Sequence, residues 1–161
     1  MKSKLITGKV LLGVLYISIA VAILVAVMFV VPIKTVQVPR VFLGGEEIKV
    51  TVADTPDIQE QGLSGKKELK ADEGMLFIFS NPGTYGFWMK DMLFPIDIIW
   101  FDSNRKIVDE WQSARPESYP KIHAPRDASQ YVLEVQAGFF ASHVLKNGDI
   151  LELDLPARYN R

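Results

Sequence analysis

The stretch YGFWMKDMLFPIDIIWFD, Tyr85 to Asp102, decides how this chain is read. Most of its residues are large and apolar, yet Lys90, Asp91 and Asp97 lie inside it. Apart from Asp97, its second half is apolar on both alternations, the pattern of a strand covered on both faces. GMLFIFS, Gly74 to Ser80, repeats that pattern, with Met75, Phe77 and Phe79 on one alternation and Leu76 and Ile78 on the other. EEIKVTVAD instead alternates cleanly, Ile48, Val50 and Val52 against Glu47, Lys49 and Thr51, as a half-buried strand does. DSNR, Asp102 to Arg105, predicts a hairpin turn into KIVDEWQ, and YVLEVQ and DILELDLP read as two further strands.

Two short helices complete the pattern. In TPDIQEQG, Thr55 suits a cap, Pro56 the first helical position, Asp57 the first turn and Gly62 the stop. AGFFASHVLKNG reads as an amphipathic helix ending at Gly148. Short strands at fairly regular spacing with few helices predict a mainly β fold, an antiparallel β-sandwich or jelly-roll-like barrel.

Upstream, Val10 to Val31 carries no charge. At a rise of about 1.5 Å per residue it reaches roughly 33 Å, enough to cross a bilayer core of about 30 Å as a single transmembrane helix. A cleaved signal peptide is the alternative, but the one small-x-small triplet, Ala20-Val21-Ala22, lies in the middle of the run. Lys2, Lys4 and Lys9 on the near flank predict a cytoplasmic N-terminus over residues 1–9 and an extracytoplasmic remainder at the cell membrane. Residues 32–45, with two prolines and a Gly pair, read as an extended stalk. The β domain is expected over 46–156, with a tail at 157–161.

The chain has 19 acidic and 18 basic residues, and no acid precedes Glu46. The outer part is therefore mildly acidic, which argues against a nucleic-acid partner. Cysteine is absent, so disulfide and thiolate chemistry are excluded and the domain must stand on its core. His123 and His143 have no metal-ligand spacing around them, so neither a metal nor another cofactor is expected. Nucleophile-elbow, P-loop, zincin and dinucleotide-binding motifs are all missing. The sequence assigns no oligomeric state.

Candidate chemistry rests on a few polar residues in apolar surroundings. In an extended FWMK, Phe87 and Met89 share one face while Trp88 and Lys90 share the other. Three readings follow. Lys90 and Asp97, or Lys90 and Asp91, form an ion pair tying the turn before the strand, as in a purely structural envelope domain. Alternatively, Trp88, Lys90 and Asp97 line a ligand platform for a small polar or glycan-like molecule or an envelope partner. In the third, Asp97 and Glu134 act as the acid and base of a hydrolase. Ala114 to Gln130, with three prolines and no periodicity, is a loop long enough to be functional.

GLSGKKELKADEGMLFIF, FWMKDMLFPIDIIWFD, IVDEW, YVLEVQAG and NGD occur in this order. Together they resemble the domain-of-unknown-function 192 family over roughly Glu46 to Leu155. The resemblance implies a jelly-roll-like β fold with short helices, and it implies no established activity. It carries Gly74, Met75, Phe87, Trp88, Lys90, Pro95, Asp97, Glu134, Gly138 and Gly148 over as matching positions. Lys66 fills the basic position that usually follows GL. Asp91 and Met92 stand where Asn and Thr are common in the family.

Overall fold

The computed structural model describes residues 12–24, 26 and 37–159. The chain divides into two units, Met1–Val36 and Gln37–Arg161. In the first, residues 12–24 form a helix, α1, whose apolar side chains (Leu12, Val14, Ile17 and Ile23 among them) are all uncovered. Among the described residues no helix is long and apolar enough to cross a membrane. The expected span Val10–Val31 extends beyond them at both ends, and the N-terminal segment 1–9 lies outside them.

The second unit is one seven-stranded sheet. Its strands are β1 (Arg40–Leu43), β2 (Glu46–Ala53), β3 (Glu73–Gly83), β4 (Ile96–Phe101), β5 (Ile107–Ala114), β6 (Ser129–Gln136) and β7 (Glu152–Asp154). The order is β5-β4-β6-β3-β2-β1-β7, antiparallel except for β2 and β3, which run parallel. Parallel neighbours need a crossover connection. Here it is residues 54–72, which contain the helix α2 (Pro56–Gln61). The expected pair of packed antiparallel sheets is thus replaced by one mixed sheet. At one end the segments leading into the outermost strands, β5 and β7, meet. Lys106 bridges Ile150, and Ile107 N–H donates to the Asp149 carbonyl at 2.9 Å, closing the sheet on itself at that end.

Each central strand feeds two cores. Leu76, Ile99, Phe101 and Leu133 join Val41 and Ile48 on one face. Met75, Phe77, Ile98, Trp100 and Val132 point to the other, where Leu63, Leu69, Met89 and Met92 cover them. This is why β3 and β4 are apolar on both alternations. Covering a large apolar side chain stabilises by about 1.5–3 kcal/mol, and Trp100, Phe77 and Phe101 are all essentially fully covered.

Two local expectations are corrected. The stalk ends early, because Arg40–Leu43 is a strand joined to β2 by a two-residue hairpin at Gly44-Gly45. Both glycines have positive φ (62° and 86°), as a twist-matched hairpin turn demands. The second predicted helix shrinks to α3 (Phe139–Ser142); Val144 already has φ 53°, so the helix is over long before Gly148. α2 and the Asp102–Arg105 turn are found where expected. In that turn the Asp102 carboxylate accepts the Asn104 and Lys106 N–H groups at 2.8 Å each.

Candidate functional site

The segment from Tyr85 to Met92 lies over the outer face of β3 and β4. Its anchor is Phe87, whose backbone exchanges two hydrogen bonds with His123 (2.8 and 2.9 Å). The Phe87 ring meets Phe77 and Trp100 edge-on. Met89 is buried as well, so extended geometry turns Trp88 and Lys90 outward, as their spacing predicts. Lys90 Nζ sits 5.8 Å from the centre of the Trp88 ring, and Tyr119 meets the same indole edge-on. Asp91 has φ 55°, and its carbonyl accepts the Gly65 N–H. Asp and Asn are the non-glycine residues that best tolerate this left-handed conformation, so Asp91 suits the backbone need at this position.

Asp97 does not join Trp88 and Lys90. It is fully buried, and its carboxylate accepts the N–H of Ser113 (2.7 Å) and of Phe140 (2.8 Å). It therefore ties the irregular end of β5, where Ser113 has φ 50°, to the start of α3. The expected ion pair with Lys90 is absent for a reason of parity. Asp97 alternates with Ile98 and so shares the face of Ile99 and Phe101, whereas the Tyr85–Met92 segment covers the other face.

The same parity separates Asp97 from Glu134. In the β4–β6 register Asp97 lies opposite Val135 and Ile98 opposite Glu134. Neighbouring residues on a strand point to opposite faces, so Asp97 and Glu134 do too. The acid–base pairing of a hydrolase is not formed.

Glu134 is the polar group that stands out. It is 4% exposed, its Oε2 has no hydrogen-bond partner, and it opens onto a hollow of about 250 Å³. Phe77, Phe79, Tyr85, Phe87 and Trp88 form the walls of that hollow, together with Met92 and the end of α2. Phe79 and Tyr85 stack with ring centres 3.6 Å apart. Gln59 holds α2 in place by donating both amide hydrogens, to the Ala53 and Ile78 carbonyls. Gly62 ends α2 at φ 52° and ψ −135°, a conformation essentially confined to glycine. A Cβ there would lie 3.6 Å from the Phe77 ring and 3.9 Å from Glu134 Oε2, so the missing side chain leaves the carboxyl uncovered. Burial among apolar groups disfavours the charged form and pushes the Glu134 carboxyl up to about 8.

Trp88 is shared with a shallower hollow lined by Asp57, Ser64, Lys90 and Asp91. A third, rimmed by Glu46, Glu47, Asp72 and His143, has no unpartnered buried group. His143 Nδ1 lies 2.8 Å from the Phe139 carbonyl, and the His123 ring is stacked between Trp100 and Trp111. Among the described residues no three His, Asp or Glu side chains converge on a metal position. The long loop 115–128 is pinned by Asp109, whose Oδ2 accepts the Arg126 N–H at 2.9 Å. Burial works against ionisation of Asp109, but bonds from the Arg126 and Glu110 backbone and from the Arg126 guanidinium outweigh it and hold the group below the usual range.

The sequence singled out Trp88, Lys90 and Glu134, but the aromatic walls and Gly62 passed as core and helix stop. Phe79 and Tyr85 carried no polar signal, and their role depends on the crossover that lays α2 beside them.

Residues 40–153 match the DUF192 family model, described as an uncharacterised ACR. A UPF0127 protein of Thermococcus gammatolerans is 34% identical over 64 residues, 40% of this chain and 39% of that protein. A UPF0127 protein of Thermococcus kodakarensis is 29% identical over 108 residues, 64% of this chain and 63% of that one. The chain thus spans less than two thirds of either relative. A crystal structure of a protein of unknown function from Novosphingobium aromaticivorans superposes with a TM-score of 0.66 at 28% identity, covering 76% of this chain and 90% of that one.

Proposed function

We propose that this chain, which belongs to the DUF192 family, is a membrane-anchored domain that binds a small ligand between Trp88 and Glu134. One observation carries the reading: the carboxyl of Glu134 is buried, unpartnered at Oε2, and open to an aromatic-walled hollow. An unsatisfied buried polar group costs about 1–3 kcal/mol, and a few convergent polar groups in an apolar hollow are the usual make-up of a small-molecule site. The ligand has an apolar body for the rings and a polar group for Glu134. Lys90, beside the Trp88 indole, stands at the neighbouring surface rather than among the groups lining the inner hollow.

Titrating the full chain in non-ionic micelles with a panel of small amines, alcohols and amides tests the reading. Nuclear magnetic resonance shifts are expected to cluster at Gly62, Phe77 and Trp88 and to vanish in Glu134→Leu. Shifts scattered over the surface, or retained in the variant, would overturn it.

The anchor is Val10–Val31, with the domain on the extracytoplasmic side. The uncharged run and the uncovered apolar side chains of α1 support this, as do the lysines before it. The intact mass of membrane-extracted protein should correspond to a chain that retains this segment; a mature N-terminus beyond Val21 would remove the anchor.

A further inference from the structure

We infer that the ligand of the Glu134 hollow is a small organic cation, an ammonium group bearing apolar substituents. The inference rests on the binding reading above and narrows it from the chemistry of the lining. Apart from Glu134, the charged side chain at this hollow is Glu60; no Lys, Arg or His lines it. An anion would therefore meet a carboxyl and no positive partner.

A sugar or other multiply hydroxylated ligand is disfavoured for a different reason. It needs several free donors and acceptors, and two of the polar side chains in the lining are already committed. Gln59 donates its amide hydrogens to the Ala53 and Ile78 carbonyls, and the Ser64 hydroxyl donates to the Lys90 carbonyl at 2.8 Å. What remains is ring surface, the buried Glu134 carboxyl and the exposed side chains of Glu60 and Gln61. The faces of aromatic rings carry negative potential and attract cations, more strongly once water is excluded. The Trp88 indole already has the Lys90 ammonium 5.8 Å from its ring centre on its outer side. Ring faces backed by a buried carboxylate suit a positive charge wrapped in methyl or methylene groups, whose apolar shell the rings also cover.

Charge balance gives the inference its signature. An empty site holds Glu134 protonated at neutral pH, because burial raises it to about 8. A cation favours the carboxylate, so binding below that pH releases the Glu134 proton to solvent. Facing groups that bear on the titration are Glu60 from the end of α2 and Tyr85 from the covering segment. Lys90, Asp57 and Asp91 lie around the adjoining hollow behind Trp88. From β3 and β4 the register neighbours of Glu134, Met75 and Ile98, do not titrate.

The experiment compares choline, whose charge is permanent, with dimethylbutanol, its uncharged carbon isostere, on the full chain in non-ionic micelles. The Trp88 indole resonance is followed from about pH 6 to about pH 9. The expected result is that the choline Kd falls about tenfold per pH unit up to about pH 8 and then levels off, while the isostere binds more weakly and without pH dependence. Glu134→Gln should weaken choline at least about tenfold at the plateau and flatten its profile, with a cooperative melt showing that the variant is folded. If the isostere binds as tightly as choline, or choline binding does not strengthen with pH, the cation inference is overturned and the binding site stands. If neither probe perturbs the indole, the inference fails, and the same spectra recorded with the panel of amines, alcohols and amides decide separately whether the site reading fails with it.

Discussion

Thermal stability of the wild type is expected to fall as pH rises from about 4.5 to about 8, and Glu134→Gln is expected to remove that loss. The folded chain keeps the Glu134 proton to about pH 8, whereas an unfolded carboxyl releases it near 4.5. Between those values the folded state binds more protons, so each step upward in pH favours the unfolded chain by up to about 1.4 kcal/mol per unit. The contribution is fully present below 4.5 and is lost as pH climbs through the folded value, on the order of 3–5 kcal/mol in all. For a domain of this size that corresponds to roughly 10 °C in Tm. Asp109 has the opposite sign: its lowered value stabilises the fold above the ordinary carboxylate range and is lost on acidification, below the Glu134 window. Melting curves of wild type and variant at matched pH therefore isolate one group. Parallel Tm profiles from about pH 5 to about pH 8 would mean that water or a partner already satisfies the carboxyl. Binding of a cation in the hollow would recover part of the lost stability at high pH, by the same linkage.

Asp97→Ala is expected to destabilise the fold by about 2–4 kcal/mol, because it leaves one buried and one part-buried N–H group without their acceptor, at about 1–3 kcal/mol for a buried one, and opens a small void. Those groups, on Ser113 and Phe140, belong to segments distant in sequence that this carboxylate bridges. Asp97→Asn should be milder but still costly, since an amide presents one acceptor oxygen where two are needed. Lys90→Met, at an exposed position, should change stability by less than about 1 kcal/mol. The double variant should equal the sum of its parts, because the two side chains lie on opposite sides of the sheet. Urea denaturation of the wild type and the four variants checks this. A coupling above about 1 kcal/mol would restore the ion pair that the sequence suggested, and a near-neutral Asp97→Ala would show that the two N–H groups find other partners.

Much of the fold was legible because its signals are local. Alternating Ile48, Val50 and Val52 mark β2, the doubly apolar runs mark β3 and β4 as covered on both faces, and Pro56 and Gly62 bracket α2. The Gly44-Gly45 hairpin was missed, because its flanking strand is four residues long and merged into the supposed stalk. Of the site, Trp88 and Lys90 were readable from their shared alternation, with half-buried Phe87 and buried Met89 as its complement. Glu134 was readable as a carboxylate among apolar neighbours, and Asp97 looked identical by the same criterion.

What the sequence by itself determined is thus six of the seven strands, their alternation, and which polar residues sit where an apolar one would be cheaper. Tertiary structure alone decided how those faces meet. A one-residue offset in the β4–β6 register sends Asp97 to the face where α3 begins and Glu134 to the face where α2 and Trp88 enclose a hollow. The parallel crossover from β2 to β3 delivers α2 to that face, and the meeting of Lys106 with Ile150 closes the sheet around the other core. The physical reason is range. A period of two is written into neighbouring residues, whereas register and crossover depend on pairing between segments far apart in the chain, which no local pattern of hydrophobicity encodes.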